Sequence, residues 1–283
     1  MASFTNQATI SYNGTVRNSN ITTGEVLEVL TVSKTALRGT YIPGETVTYA
    51  VSLVNTGTTA LSGLTVTDDL GGYEAGGVTV YPLSYIEGSA RVFINGVPQT
   101  AADVTAGPPL TVSGVTVPAG GNFILLYEAQ ITDFAPPAAD SVITNTVSAE
   151  GGCLVTPVTA EETITAAQEP NLTITKSVSP TSVSGCSPLT YTFVIQNVGN
   201  EEAGADDNVV LTDTFSPSLE NIAVTLNGDV LPADAYSYNE ETGAFATLPG
   251  AITVPAATFT QDPATGQWIT DPGVTVLTVT GTI

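Results

Sequence analysis

The chain has only two lysines, Lys34 and Lys176, and they stand at matching places in two similar stretches of sequence. Side chains alternate between the two faces of a strand. Leu30, Val32 and Lys34 therefore share a face, as do Leu172, Ile174 and Lys176. The same rule groups Asp68 with Leu64, Val66 and Leu70, and Asp213 with Val209, Leu211 and Phe215. Asn145 falls with Ile143 and Val147, and Asn6 with Phe4, Ala8 and Ile10. Each polar residue sits on an otherwise apolar stripe, where an unpartnered charge is expensive.

A buried lysine, carboxylate and carboxamide are the parts of a spontaneous isopeptide bond. Burial favours the neutral, nucleophilic amine and the protonated carboxyl. The expectation is that Lys34 is the nucleophile, Asn145 the electrophile and Asp68 the proton shuttle. In the second stretch Lys176 and Asp213 need an asparagine from elsewhere, and Asn6 of the next copy is the candidate. A buried Lys–Asp ion pair hydrogen-bonded to Asn gives the same pattern without chemistry, and a lysine near a strand end can snorkel to water. Asn55 and Asn197 are alternative acceptors, because they continue the stripes of Val51/Leu53 and Phe193/Ile195. Each also opens an Asn-x-Gly sequence suited to an Asx turn.

The elements that must position these residues are strands. Short alternating runs lie between Gly, Pro, Asn and Asp turns, and no amphipathic helical window of useful length appears. The 283 residues suit two domains, each long enough to bury a core. Hydrophobic residues make up 42% and charged residues 11%, which excludes a disordered tail or a coiled coil.

Two stretches align. The first, from Leu30, reads LTVSKTALRGTYIPGETVTYAVSLVNTGTTALSGLTVTDDL; the second, from Leu172, reads LTITKSVSPTSVSGCSPLTYTFVIQNVGNEEAGADDNVVLTDTF. FILLYEAQI near residue 127 likewise matches VTVLTVTGTI. With the closing SVITNTVSAEGG, these segments resemble the bacterial and archaeal surface-repeat family known as domain of unknown function eleven. Its pattern is a Lys-bearing first strand, a "tYt…NtG" segment, a "vtDtlP" segment and an "itNtv" strand. The proline of the third segment is replaced by Gly71 in the first copy, and Pro217 falls one place late in the second. The resemblance implies Ig-like repeats of a cell-surface or matrix-like protein.

The expected fold is all-β: two tandem Ig-like β-sandwiches, the second lacking its closing strand, plus an N-terminal donor strand. Residues 1–24 form the connector with the donor strand, 25–168 the first repeat and 169–283 the incomplete second. FTNQATISYNG at the N-terminus matches ITNTVSAEGG, with Asn6 on Asn145. An incomplete sandwich exposes an edge and a groove. Residues 3–12 of one copy, through Phe4, Ala8, Ile10 and Tyr12, are expected to complete the second repeat of its neighbour by strand addition. Donor and acceptor lie at opposite ends, so the contact propagates head to tail. A fold-back on the chain's own first repeat and a self-complemented monomer are the competing arrangements.

The net charge of −22 disfavours nucleic acid and anionic membrane as partners. With no histidine, the commonest general base and metal ligand is missing. No nucleotide-binding or hydrolase motif is present, so neither cofactor, metal nor enzymatic turnover is expected, beyond a single autocatalytic bond. The acidic clusters Asp68-Asp69 and Asp206-Asp207-Asn208 lack EF-hand spacing. Cys153 and Cys186 could pair across the domain junction or between subunits, or stay as loop thiols. The N-terminus lacks the features of a signal peptide, and no apolar run is long enough to span a membrane. TQDPATGQW, ending at Trp268, reads as a hairpin tip, leaving a glycan or host-surface partner open. The expected role is a fibre subunit on a cell or spore surface, assembled from copies of itself. The alternative is a monomeric surface adhesin or matrix spacer.

Overall fold

The computed structural model describes residues 2–99, 103–185 and 187–283. The fold is all-β, with two hydrophobic cores that draw on separate stretches of chain. One is built from residues between Leu30 and Ala166, the other from residues between Leu189 and Val279.

The N-terminal arm holds β1 (Ala2–Asn6), β2 (Thr9–Tyr12), β3 (Thr15–Asn18) and β4 (Thr22–Val26). β1 pairs with β4 and β2 with β3, both antiparallel. The arm is thus a hairpin and not the single strand expected over residues 3–12. Its turn explains why: Asn13 and Gly14 both have positive φ, 44° and 79°. An Asn-Gly pair in this conformation closes a two-residue hairpin whose twist matches its strands.

The first domain begins with β5 (Leu30–Ala36), β6 (Thr40–Tyr41), β7 (Thr46–Asn55) and β8 (Leu61–Asp68). Short pieces follow: β9 (Tyr73–Ala75), β10 (Val78–Val80), β11 (Leu83–Tyr85), β12 (Arg91–Ile94), β13 (Val97–Pro98) and β14 (Asp103–Thr105). Four long strands complete it: β15 (Leu110–Val117), β16 (Asn122–Ile131), β17 (Val142–Gly151) and β18 (Val158–Ala166). One sheet runs β13-β12-β16-β7-β5, with β11 also on β16; the facing sheet runs β14-β15-β8-β17-β18-β6. Inward residues alternate strictly along β7 (Val47, Tyr49, Val51, Leu53) and β17 (Ile143, Asn145, Val147, Ala149), and all are buried.

The second domain comprises β19 (Leu172–Ser179), β20 (Pro188–Asn197), β21 (Thr212–Thr214), β22 (Glu220–Leu226), β23 (Asp229–Val230), β24 (Tyr236–Tyr238), β25 (Ala244–Thr247), β26 (Thr258–Gln261), β27 (Trp268–Asp271) and β28 (Gly273–Thr282). Its larger sheet is β19-β20-β28-β22-β23 and its smaller one β21-β25-β24. β21 corresponds to β8 and β25 to β15. Where β17 and β18 continue the first domain's sheet beyond β8, no described strand pairs the outer edge of β21. As a result β19 is exposed along nearly its whole length, including Leu172 and Ile174.

The β26–β27 hairpin leans on the first domain. The Tyr73 phenol accepts from Trp268 Nε1 at 3.2 Å and Gln261 Nε2 at 2.9 Å, and donates to the Phe134 carbonyl at 2.7 Å. Asn200 Nδ2 donates to the carbonyls of Pro137 (2.9 Å) and Ala167 (2.8 Å). Trp268, read from sequence as an exposed hairpin tip, is half-buried and ties the domains together. No helix among the described residues is long and apolar enough to cross a membrane.

Candidate functional site

In the first domain, β5, β8, β16 and β17 bring Lys34, Asp68, Tyr127 and Asn145 together in the interior. The Lys34 side chain is 0% exposed and that of Asp68 2%, and the two form an ion pair. Burial lowers the Lys34 pKa from its ordinary value, opposed mainly by the adjacent carboxylate of Asp68. The amine also lies over the rings of Tyr49 and Tyr127, 4.9 and 5.8 Å from their centroids.

Tyr127 is the member that sequence reasoning missed. Its hydroxyl donates to Asp68 Oδ2 at 2.6 Å and accepts from Lys34 Nζ at 3.2 Å and Asn145 Nδ2 at 3.1 Å. Amine and carboxamide therefore share one phenol oxygen and are close neighbours. Burial, and then Asp68, push the Tyr127 phenol well above its usual range, so it stays protonated. The opposite end of the carboxamide is unsatisfied: Asn145 Oδ1 is buried without a hydrogen-bond partner. An orphaned buried carbonyl is costly, and here it belongs to the group that would be attacked. Tyr127→Phe keeps the ring and deletes all three contacts. It is expected to destabilise the first domain by ~1–3 kcal/mol, read as a lower urea midpoint at unchanged slope.

Asn55 and Asn197 have other work. Asn55 Oδ1 accepts from Gly57 N at 2.9 Å, and its Nδ2 donates to the carbonyls of Thr59, Val117 and Pro118. Asn197 accepts from Gly199 N and Asn171 N and donates to the Glu201 carbonyl. Register keeps both from the lysines. Lys34 stands opposite Val51 and Lys176 opposite Phe193, each four residues along the strand from its asparagine. That is ~13 Å, which leaves Asn145 as the carboxamide beside Lys34.

The second domain repeats part of the cluster. Lys176 pairs with Asp213, but its side chain is 40% exposed and that of Asp213 17%. The amine sits among Tyr191, Phe193 and Phe215, 4.6, 5.4 and 5.4 Å from their ring centroids. Tyr127 stands opposite Tyr49, and the corresponding partner of Tyr191 is Val279. Among the described residues no phenol bridges this second pair. Asn6 lies in the arm opposite Thr22, and Phe4, Ile10 and Tyr12 are 59%, 65% and 55% exposed.

The remaining candidates resolve into local structure. Asp69 Oδ1 accepts from Gly71 N (2.8 Å) and Thr146 N (2.9 Å), holding a turn to β17. Asp207 Oδ2 accepts from Gly204 N (2.7 Å) at the start of a single 3-10 turn. Among the described residues no three His, Cys, Asp or Glu gather as a metal site. Cys153 is an exposed free thiol; Cys186 lies outside the described residues.

No family model and no curated protein sequence matches the chain. Solved structures similar to it include the major pilin subunit of Bacillus cereus, which covers 96% of this chain and 73% of its own with 13% identity and a TM-score of 0.38. The pilus backbone from Streptococcus pneumoniae covers 86% of this chain and 55% of its own, at 11% identity and a TM-score of 0.34. The collagen-binding domain of a Staphylococcus aureus adhesin covers 50% of this chain and 99% of its own, at 12% identity and 0.32.

Proposed function

We propose that the chain is the structural subunit of an extracellular fibre on a cell or spore surface, built head to tail by donation of the N-terminal arm to the second domain of the next copy. One observation carries this reading. Phe4, Asn6, Ala8 and Ile10 fall in order on Ile143, Asn145, Val147 and Ala149, the four buried residues of β17, and no described strand takes the place of β17 in the second domain. The resemblance of the two repeats to domain of unknown function eleven, carried by the residues quoted above and by no family-model match, is in keeping with a surface setting.

The same reading assigns chemistry to both clusters. A proton passes from Lys34 Nζ to Asp68, leaving an uncharged amine beside a carboxylic acid. The amine attacks Asn145 Cγ while the acid hydrogen-bonds Oδ1, the atom that lacks a partner. The Cγ–Nδ2 bond breaks, the second lysine proton reaches Nδ2 through Asp68, and one ammonia leaves per amide formed. In the second domain Lys176 and Asp213 await Asn6 of the neighbour, so that bond joins subunits.

Boiling the assembled protein in detergent and reductant is expected to leave a ladder of multimers. Lys176→Arg collapses the ladder to monomer while filaments persist by microscopy. A wild-type band at monomer alone overturns the intersubunit bond. Wild-type protein that forms no filaments at all favours the monomeric adhesin or spacer.

A further inference from the structure

Among the described residues the second domain has a counterpart of neither β17 nor β18. In the first domain β17 lies between β8 and β18, and β18 also packs across β5, the strand that carries Lys34. The smaller sheet of the second domain stops at β21, so the vacant space is two strands wide, ~9–10 Å at ordinary spacing. A single donated strand would satisfy β21 and leave its own outer edge, and the face of β19, still open.

The arm has the form of the β17–β18 pair. Asn145 stands opposite Glu162 and Ile143 opposite Ile164; in the arm Asn6 stands opposite Thr22 and Phe4 opposite Gly24. A cross-strand pair of two isoleucines is matched by one large ring over a glycine. The fit is close, since a Cβ on Gly24 would lie 2.2 Å from Phe4 Cζ. Free in solution, a two-stranded ribbon is at best marginally stable, and this one exposes Phe4, Ile10, Tyr12, Val16 and Ile21. The arm, residues 2–26, holds one base and one acid, Arg17 and Glu25, so it enters without adding net charge to a domain in which residues 169–283 hold thirteen acidic residues against Lys176 alone.

We infer that the arm enters the second domain of a neighbouring copy as an intact hairpin, β1–β2 taking the place of β17 and β3–β4 that of β18. The inference rests on the head-to-tail reading above. It makes the joint between copies a repetition of the joint within a copy. Three residues, Leu27–Val29, separate β4 from β5, as five, Ala167–Asn171, separate β18 from β19. Donation of residues 3–12 alone would leave seventeen residues, 13–29, as a slack tether.

Hydrogen exchange on assembled full-length fibres tests it. Hairpin entry is expected to slow exchange at least 100-fold, relative to unassembled subunit, over both residues 2–12 and residues 15–26. Protection confined to residues 2–12 overturns the hairpin and leaves head-to-tail donation standing. Protection of neither overturns both. Gly24→Val supplies an independent reading, because in the confined joint the Phe4 ring cannot swing aside. At least tenfold weaker assembly is expected, with both domains folded, and assembly equal to wild type overturns the inference.

Discussion

Lys34→Ala is expected to destabilise the first domain by ~3–5 kcal/mol. Measured against wild type that has not yet formed the amide, the change removes the cation paired with Asp68, whose side chain is 2% exposed, and leaves the buried carboxylate to the Tyr127 hydroxyl and the Leu70 N–H. The cost comes from the abandoned partner and not from the worth of the ion pair. Lys34→Met combined with Asp68→Leu removes both charges and should recover most of the loss. Urea denaturation of wild type, Lys34→Met, Asp68→Leu and the double variant closes the cycle, and the intact mass of each reports the chemistry. Wild type that has gone on to form the Lys34–Asn145 amide should be lighter by one ammonia, and every Lys34 variant should keep its full mass. A Lys34→Ala protein as stable as wild type would show that the cluster does not hold this core.

Phe4→Asp with Ile10→Asp is expected to abolish fibres under conditions where wild type assembles fully. Both side chains are exposed in the subunit, so the double change should leave the melting of the two domains untouched. In the joint they would occupy the places of Ile143 and Ala149, which are 2% and 0% exposed. Losing burial of two large apolar side chains costs ~3–6 kcal/mol, or ~10²–10⁴ in association constant. Two carboxylates in the same space add to that. Sedimentation and electron microscopy read the outcome, and deletion of residues 2–12 should reproduce it. Normal fibres from the double variant would remove the arm from the joint.

Much of this architecture is legible in the sequence because strand alternation is a strict rule. Lys34, Asp68 and Asn145 stand out as polar residues at positions whose neighbours two places away are Val32, Val66, Ile143 and Val147, and all three are buried. Tyr127 was illegible for the opposite reason. In FILLYEAQI a tyrosine is an ordinary core aromatic, and only the packing of β16 against β8 and β17 places its hydroxyl among three polar partners. The hairpin form of the arm did have a signal, since Asn13-Gly14 between alternating runs is the strongest short-range hairpin cue. Matching FTNQATISYNG to a single closing strand hid it. The docking of Trp268 on Tyr73 joins residues 195 positions apart, beyond the reach of local patterning.

The position of the lysines has a mechanical consequence. Each lies on the first strand after a junction, and each partner asparagine lies just before the next junction. With both amides formed, a pull along the fibre enters a copy at residue 6, runs along the backbone to Lys34, crosses to Asn145, and continues to Lys176 and the following copy. Only residues 6–34 and 145–176 then carry tension. The segments 35–144 and 177–283, with most of both cores, hang from the load line as unstressed loops. Such a fibre would lengthen only by the slack held in the β1–β4 and β17–β18 hairpins, and the shielded segments could not be drawn out before a covalent bond failed.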